Sequence, residues 1–272
     1  PVWFGTLALA DPTKSGSVAK AFEMIVQQAC GETVRAAGYD DAQVDAWEKA
    51  ILAARRPPGE LPPDVPAAYQ RAVEEGWCRG LRRLQRLGAN SRHFADASSR
   101  IPLDVASGQA AVGLAIDFYA LFQEQFSRGP EGGARVVFHA PPGGTSISGD
   151  PIGRLRGAEH PELASRFIEF VLSAEGQRLW TYRPGTPGGP ERYALRRLPV
   201  RRDFYPSSHP AVQAAFEQHR RYTEEDFTLP DRQPYRLAES FTYRPRWTAD
   251  HFGVLRDLAR AMCVDSHDEL RA

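Results

Sequence analysis

The sequence predicts an α/β fold in which a mostly parallel sheet is flanked by helices. Three short apolar runs have the length and composition of buried strands: "TLALA" (6–10), "AAVGLAI" (110–116) and "RVVFHAP" (135–141). The first two are each followed by a segment with helical spacing of its apolar residues. Strands that alternate with helices are typical of parallel sheets, which bind ligands beyond the carboxyl ends of their strands.

Helical periodicity accounts for much of the remaining chain. The strongest pattern covers residues 160–180, where Pro161 suits the first turn and Glu162 complements the helix dipole. Its apolar face consists of Leu163, Phe167, Phe170 and Val171. The other predicted helices span residues 17–29, 41–55, 66–87, 118–126, 209–222 and 248–262.

Composition and charge exclude several classes of protein. Lys+Arg and Asp+Glu both number 34, so no net field attracts nucleic acid or a membrane surface. No apolar run approaches the roughly 18 residues that a membrane span needs, so no direct membrane insertion is predicted. Cys30, Cys78 and Cys263 form no C-x-x-C pair, and we predict no essential disulfide among them.

The first candidate site is "DPTKSGS" (11–17), which lies between a predicted strand and a predicted helix. Thr13, Ser15 and Ser17 offer hydroxyl groups, and Gly16 lets a ligand approach the backbone. A helix N-terminus also carries free amide donors and a positive dipole end. The stretch therefore suits a phosphate, a carboxylate or another oxyanion, although a plain helix cap would have the same residues.

The second candidate site is "DFY" (117–119), at another predicted strand-to-helix junction. Asp117, Phe118 and Tyr119 provide a carboxylate, an aromatic ring and a phenol. The alternative is an aspartate cap followed by a packed aromatic pair. No G-x-S-x-G, H-E-x-x-H or P-loop motif occurs, so the sequence gives no sign of catalysis and predicts no cofactor.

Three stretches together resemble a known family. They are "ADPTKSGS" (10–17), "SGQAAVGLAIDFYA" (107–120) and "APPGGTSISGDPIGRLRGAEHPELASRFIEFVLSAEGQRLW" (140–180). In this order they resemble the type 2 periplasmic solute-binding proteins of bacterial ABC importers. The subgroup for ferric iron, phosphonates and similar anions is the most similar, and the resemblance covers about residues 3–190.

The resemblance implies a type 2 periplasmic-binding-protein fold, in which two α/β lobes trap a ligand in the cleft between them. On that plan, residues 1–145 form the second ligand-binding lobe. Residues 146–190 are the hinge return and the C-terminal helix of the first lobe, and residues 191–272 are an extension that packs on the first lobe. The N-terminal part of the first lobe is then absent, so the first lobe is expected to be incomplete.

The family also implies a function. We expect a non-enzymatic periplasmic or extracellular protein that captures a small, anionic solute and delivers it to an ABC importer permease. The turn Thr13–Ser17 and the residues Asp117, Phe118 and Tyr119 are expected to face the cleft. The alternatives are the ligand-binding module of a sensor, an α/β enzyme, and a ferric-ion carrier that would use Asp117 and Tyr119. Ferric-binding relatives have two adjacent tyrosines where this sequence has Phe118 and Tyr119.

Overall fold

The computed structural model of the chain describes residues 4–56, 60–131, 133–147 and 151–272. The chain divides into two compact units. Unit 1 consists of Pro1–Ala115 with Thr242–Ala272, and unit 2 consists of Ile116–Phe241. These units divide the chain differently from the predicted ranges 1–145, 146–190 and 191–272, whose assignment to ligand-binding lobes stays a prediction.

The helices are numbered here in chain order. They are α1 (Gly16–Ala36), α2 (Asp41–Ala54), α3 (Ala67–Asn90), α4 (Arg100–Ala106), α5 (Asp117–Phe126), α6 (Pro161–Leu172), α7 (Ala174–Thr181), α8 (Pro210–His219), α9 (Pro234–Glu239), α10 (Pro245–Thr248), α11 (Phe252–Ala259) and α12 (His267–Arg271). A π-helical turn, Arg260–Asp265, continues α11. Most predicted helices are thus confirmed, while the short helices α4, α9 and α12 were not predicted because their few residues show too little periodicity.

Unit 1 contains a three-stranded parallel sheet in the order β2-β1-β3. The strands are β1 (Leu7–Ala10), β2 (Ser91–Ala95) and β3 (Val112–Gly113). The prediction of β1 is confirmed, and its residues Ala8–Ala10 have no exposed surface, as expected of a central strand covered on both faces. The predicted strand 110–116 shortens to two residues. Strand β2 was missed because "SRHFA" carries too many polar side chains to read as buried.

The core of unit 1 is built on the packing of α1 against α3. Apolar residues of α1 such as Phe22 and Val26 are fully buried, and α3 brings glycines to the contact. A Cβ atom on Gly80 would lie 2.8 Å from the Cα of Val26, and one on Gly76 would overlap with the backbone of Cys30. The two helix backbones therefore approach each other more closely than any other residue at these positions would allow.

The C-terminal part of unit 1 is attached to α1 by buried polar groups. The Gln27 Nε2 atom donates to the Arg244 carbonyl (2.7 Å), and the Arg244 amide donates to Gln27 Oε1 (3.2 Å). The hydroxyls of Tyr243 and Thr248 both donate to Oε1 of Glu23, at 2.6 Å each. Because Glu23 and Gln27 are almost completely buried, these bonds compensate for a desolvation that would otherwise be costly.

Unit 2 differs from the prediction in residues 135–141, which form no strand. The amides there are bonded to side chains of the α5 region. Val136 donates to Ser127 Oγ (3.3 Å), and Phe138 donates to Glu124 Oε2 (2.8 Å). Since these donors are already satisfied, the segment needs no neighbouring strand. Its apolar composition indicated burial correctly for Val136 and Ala140, but not the backbone pairing.

The predicted helix 160–180 is two helices, α6 and α7, which meet at Ser173. Ser173 has extended backbone geometry, and its hydroxyl accepts the Gly176 amide (3.1 Å), so it caps the start of α7. A serine followed by Glu175 is a cap signal that the sequence contains. The predicted apolar face of α6 is not a core face, because none of the α6 residues is buried.

His219 lies in the aromatic core of unit 2. The Phe204 ring stacks on the imidazole, with 3.9 Å between ring centroids, and the Tyr182 hydroxyl lies 2.6 Å from Nδ1. Burial lowers the pKa of His219, and the charges of Arg178 and Arg201 lower it further, against an opposing effect of Asp203. The native state therefore favours the neutral imidazole.

For Gly76→Ala we expect a loss of about 1–3 kcal/mol in the free energy of unfolding, because the new methyl group meets helix α1. The matched control is Gly253→Ala, since a Cβ atom on Gly253 meets no atom within 4 Å. Alanine there removes backbone freedom from the unfolded state and should stabilise by up to about 1 kcal/mol. Urea denaturation of both variants measures the difference, and equal values would contradict the close approach of α1 and α3.

We also predict that His219 makes unit 2 less stable in mild acid. In the unfolded state the imidazole has a pKa of about 6.5, which is above its native pKa, so the unfolded state binds more protons as the pH falls. The stability contributed by His219 is therefore present above about pH 6.5 and declines as the pH falls towards the native pKa. Urea denaturation between about pH 7 and pH 5 should show a steeper loss for the parent than for His219→Gln. The control His209→Gln changes an exposed histidine, and its loss of stability over the same pH range should equal that of the parent.

Candidate functional site

The first candidate site lies at the carboxyl end of β1, where Asp11 organises the turn. The Asp11 amide donates to the carbonyl of Ala95 at the end of β2 (2.9 Å), and Asp11 Oδ1 accepts both the amide and the hydroxyl of Thr13, at 2.9 and 2.7 Å. Lys14 forms an ion pair with Asp96, the residue that follows β2 (2.6 Å). The turn is thus anchored to the ends of two neighbouring parallel strands.

Two arginines from the C-terminal part of unit 1 contact the same turn. Arg256 donates to the carbonyls of Pro12, at 3.0 Å, and Thr13. Arg260 donates to Asp11 Oδ2 (2.5 Å) and to the Thr13 hydroxyl oxygen (3.2 Å). The Thr13 hydroxyl therefore gives its proton to Asp11 and accepts from Arg260, so it is already used within the protein.

Ser15, Gly16 and Ser17 form the start of α1. Ser15 has extended geometry and is buried, and its hydroxyl caps the helix at 3.4 Å from the Val18 amide. The hydroxyls of Ser15 and Ser17 are 3.3 Å apart. Gly16 is exposed, and a Cβ atom on it would meet no atom within 4 Å. Its backbone is helical with no positive φ, so a glycine is not needed here for conformation.

The capping role predicted as the alternative for this stretch is therefore present at Ser15, while Gly16 and Ser17 remain accessible. The first amides of a helix have no acceptor within the helix. At this end of α1, Gly16 is exposed, and two arginines hold the preceding turn beside the positive dipole end. Chemically, the arrangement can bind an anionic or otherwise electron-rich oxygen.

The second candidate site begins unit 2. Asp117 is the first residue of α5 rather than its cap, and its Oδ1 accepts the adjacent Phe118 amide (2.8 Å). The Phe118 and Tyr119 rings are in contact, with 4.3 Å between centroids, and the Arg197 guanidinium lies 4.4 Å from the Phe118 ring centre. Tyr119 is 38% exposed.

The predicted site residues thus form two clusters. Thr13, Ser15, Gly16 and Ser17 come together in unit 1, whereas Asp117, Phe118 and Tyr119 come together in unit 2. Sequence reasoning missed Arg256 and Arg260. They lie more than 240 residues from the turn along the chain, and no local pattern distinguishes them from the other arginines.

Within the described residues, no group of three or more His, Cys, Asp and Glu side chains could hold a metal ion. Cys30 and Cys263 are buried free thiols, and burial raises the pKa of Cys30 to about 12 and that of Cys263 to about 11. Both are therefore protonated at neutral pH, as expected of residues that pack in a core.

Comparison with known proteins gives one finding. The family model described as bacterial extracellular solute-binding protein matches residues 2–182, about two thirds of the chain. The chain belongs to the bacterial extracellular solute-binding protein family. The small parallel sheet flanked by helices is consistent with the fold of a solute-binding protein. No curated protein and no solved structure matches the chain.

Membership in this family confirms the solute-binding prediction in its general form. Solute-binding proteins are in general not enzymes; they bind a small molecule for a transporter outside the cytoplasm. None of the described helices is both long and apolar enough to cross a membrane. The match includes both candidate sites but ends before Arg256 and Arg260, so these two arginines lie outside the region that defines the family.

We predict that Asp11→Asn destabilises the protein at pH 7 by about 1–3 kcal/mol, because it weakens a buried charged network. Burial alone would raise the pKa of Asp11, but the hydrogen bonds from Thr13 and the charges of Arg260 and Lys14 outweigh it and hold the pKa below its usual range. The contribution is therefore present above about pH 3.9, where unfolded aspartate is ionised, and is lost as the pH falls through the native pKa.

Urea denaturation of parent and variant at neutral pH and near pH 3 measures this dependence, and the destabilisation should shrink in acid. The control Asp96→Asn removes a carboxylate whose side chain is 81% exposed, and it should cost little at either pH. A loss for Asp11→Asn that is the same at both pH values would show that its charge is not what stabilises the turn.

Proposed function

We propose that the protein is the solute-binding component of an ABC importer and that it captures a small, anionic solute. The family supports binding and transport, and the chemistry of the first turn favours an anion. The observation that carries the proposal is the accessible start of α1. Gly16 is exposed there with open space at its Cβ position, at the N-terminus of a 21-residue helix.

The charge of the surrounding residues supports an anionic ligand. Asp11 is the only carboxylate within the stretch 11–17, and Arg260 pairs with it. Arg256 binds the backbone carbonyls of Pro12 and Thr13 and so places a guanidinium group beside the turn. The helix dipole adds a further positive potential at Gly16 and Ser17. An oxyanion bound to these amides would gain charge-assisted hydrogen bonds without displacing a protein carboxylate.

Asp117, Phe118 and Tyr119 are proposed as further ligand-binding residues. They follow β3, which is the parallel neighbour of β1, and residues after the carboxyl ends of parallel strands are common ligand contacts. The Tyr119 hydroxyl would donate a hydrogen bond to the solute. Phe118 would supply an aromatic surface, and the Arg197 guanidinium lies over its ring. In this proposal the solute is held in the interlobe cleft that the resemblance implies.

The test is calorimetry with inorganic phosphate, methylphosphonate, glycerol phosphate and ferric citrate as probes. We expect at least one of the phosphorus oxyanions to bind. Gly16→Val should weaken that binding at least tenfold, because a branched side chain blocks approach to the helix amides. Tyr119→Phe should weaken it by about 1–3 kcal/mol, which is the cost of one hydroxyl hydrogen bond to a charged group.

Two matched variants act as controls. Gly253→Val places the same side chain near the start of helix α11, where a Cβ atom also has open space, and Tyr222→Phe removes the hydroxyl of another tyrosine of unit 2. Both should bind the probe as tightly as the parent. If Gly16→Val and Tyr119→Phe also bind like the parent, the solute site lies elsewhere. If ferric citrate is the only probe that binds, the solute is a metal chelate and not a phosphorus oxyanion.

A further inference from the structure

Unit 2 contains a cavity of about 350 Å³, and none of the predicted site residues lines it. Its size is within the range of small-molecule sites. Aromatic and apolar side chains form most of its wall, together with one amide and one guanidinium group. The lining residues are Phe122, Gln125, Phe126, Pro184, Arg192, Tyr193 and Ala194.

The aromatic part of the cavity comes mainly from α5. The rings of Phe122 and Phe126, one helical turn apart, are stacked with 5.1 Å between centroids and an interplanar angle of 27°. Phe126 is 67% exposed and Tyr193 is 68% exposed. Large aromatic rings that remain this exposed around a cavity provide a surface on which a flat apolar group would be stabilised by stacking and by loss of water contact.

The polar part of the cavity offers donors. The buried Arg196 donates to Gln125 Oε1 (2.6 Å) and is paired with Glu225, which neutralises its charge. Because a guanidinium has only donors, this bond fixes the carbonyl side of the Gln125 amide towards Arg196 and leaves its Nε2 group free to donate elsewhere. The backbone of Arg196 has a φ of 60°, an uncommon value for a residue other than glycine, which tight surroundings must maintain.

Arg192 places a guanidinium group on the cavity wall. Among the described residues, Arg192 takes part in no salt bridge, and no acidic residue lines the cavity. A ligand in the cavity would therefore meet a cationic group and an amide donor at its polar end, and aromatic rings around the rest of its surface. This combination complements a flat molecule with one anionic group.

We propose that this cavity is a second ligand site, which takes a small aromatic carboxylate. The carboxylate binds the Arg192 guanidinium and the Gln125 Nε2 group, and the aromatic body of the ligand lies against Phe122, Phe126 and Tyr193. None of its lining residues belongs to the two predicted clusters, so the variants that test the cavity leave the residues of the proposed solute site unchanged.

The experiment is calorimetric titration of the whole chain with 2-naphthoate, and with 2-naphthamide as its uncharged analogue. We expect 2-naphthoate to bind and 2-naphthamide to bind at least tenfold more weakly, because the amide loses the charge-assisted bond. Arg192→Gln should weaken 2-naphthoate binding about tenfold and remove most of the preference over the amide. Phe122→Leu should weaken the binding of both probes, because it removes one aromatic ring from the cavity wall.

The matched control is Arg236→Gln, which removes the same charge from an exposed arginine of helix α9 outside the cavity wall. It should bind both probes like the parent. Arg192 and Arg236 are both exposed, and thermal melting should show that both variants fold. The proposal is wrong if 2-naphthoate does not bind at millimolar concentration or if Arg192→Gln binds it as tightly as the parent. It is also wrong if Arg236→Gln weakens the binding of 2-naphthoate as much as Arg192→Gln does.

Discussion

Unit 1 depends on the burial of two polar side chains, Glu23 and Gln27, on helix α1. Lys20 of the same helix pairs with Glu23 Oε2 (2.6 Å), and the segment 243–248 provides the other partners through Tyr243, Arg244 and Thr248. Without that segment a carboxylate and an amide would lie in an apolar core without full hydrogen bonding, at a cost of several kcal/mol. This requirement explains why residues near the C-terminus belong to the same unit as the first strand.

The same attachment shapes the candidate site. Once residues 243–248 are fixed on α1, a short 3-10 turn, helix α11 and the π-helical turn that continues it follow. They bring Arg256 and Arg260 to the turn after β1. The arginines satisfy the carboxylate of Asp11 and the carbonyls of Pro12 and Thr13. The turn is therefore held in place by side chains, while Gly16 stays exposed at the start of α1. A rigid turn with accessible donors is well suited to recognising an anion, because little ordering is needed on binding.

Unit 2 is organised around buried charge rather than around a sheet. Glu225 accepts from Arg196 and pairs with Arg232, and Arg232 also approaches Glu124. Glu124 in turn accepts the Phe138 amide, which is why the apolar segment 135–141 needs no neighbouring strand. Arg196 links this network to Gln125 on the cavity wall. The network therefore sets both the path of an irregular segment and the orientation of a group that can contact a ligand.

The sequence by itself determined the features that depend on neighbouring residues. The apolar run of β1, the serine cap of α1 and the periodicity of α1, α2, α3 and α8 each arise within a few residues, so the α/β class and the position of the first turn could be predicted. The resemblance of residues 3–190 to solute-binding proteins indicated the family. Tertiary structure decided what depends on distant partners: the place of Arg256 and Arg260, the commitment of the Thr13 hydroxyl, and the exposed face of α6. It also decided that residues 135–141 form no strand, because the side chains that satisfy their amides lie on another element. Contacts of this kind are set by the packing of the whole chain, and no local pattern of residues encodes them.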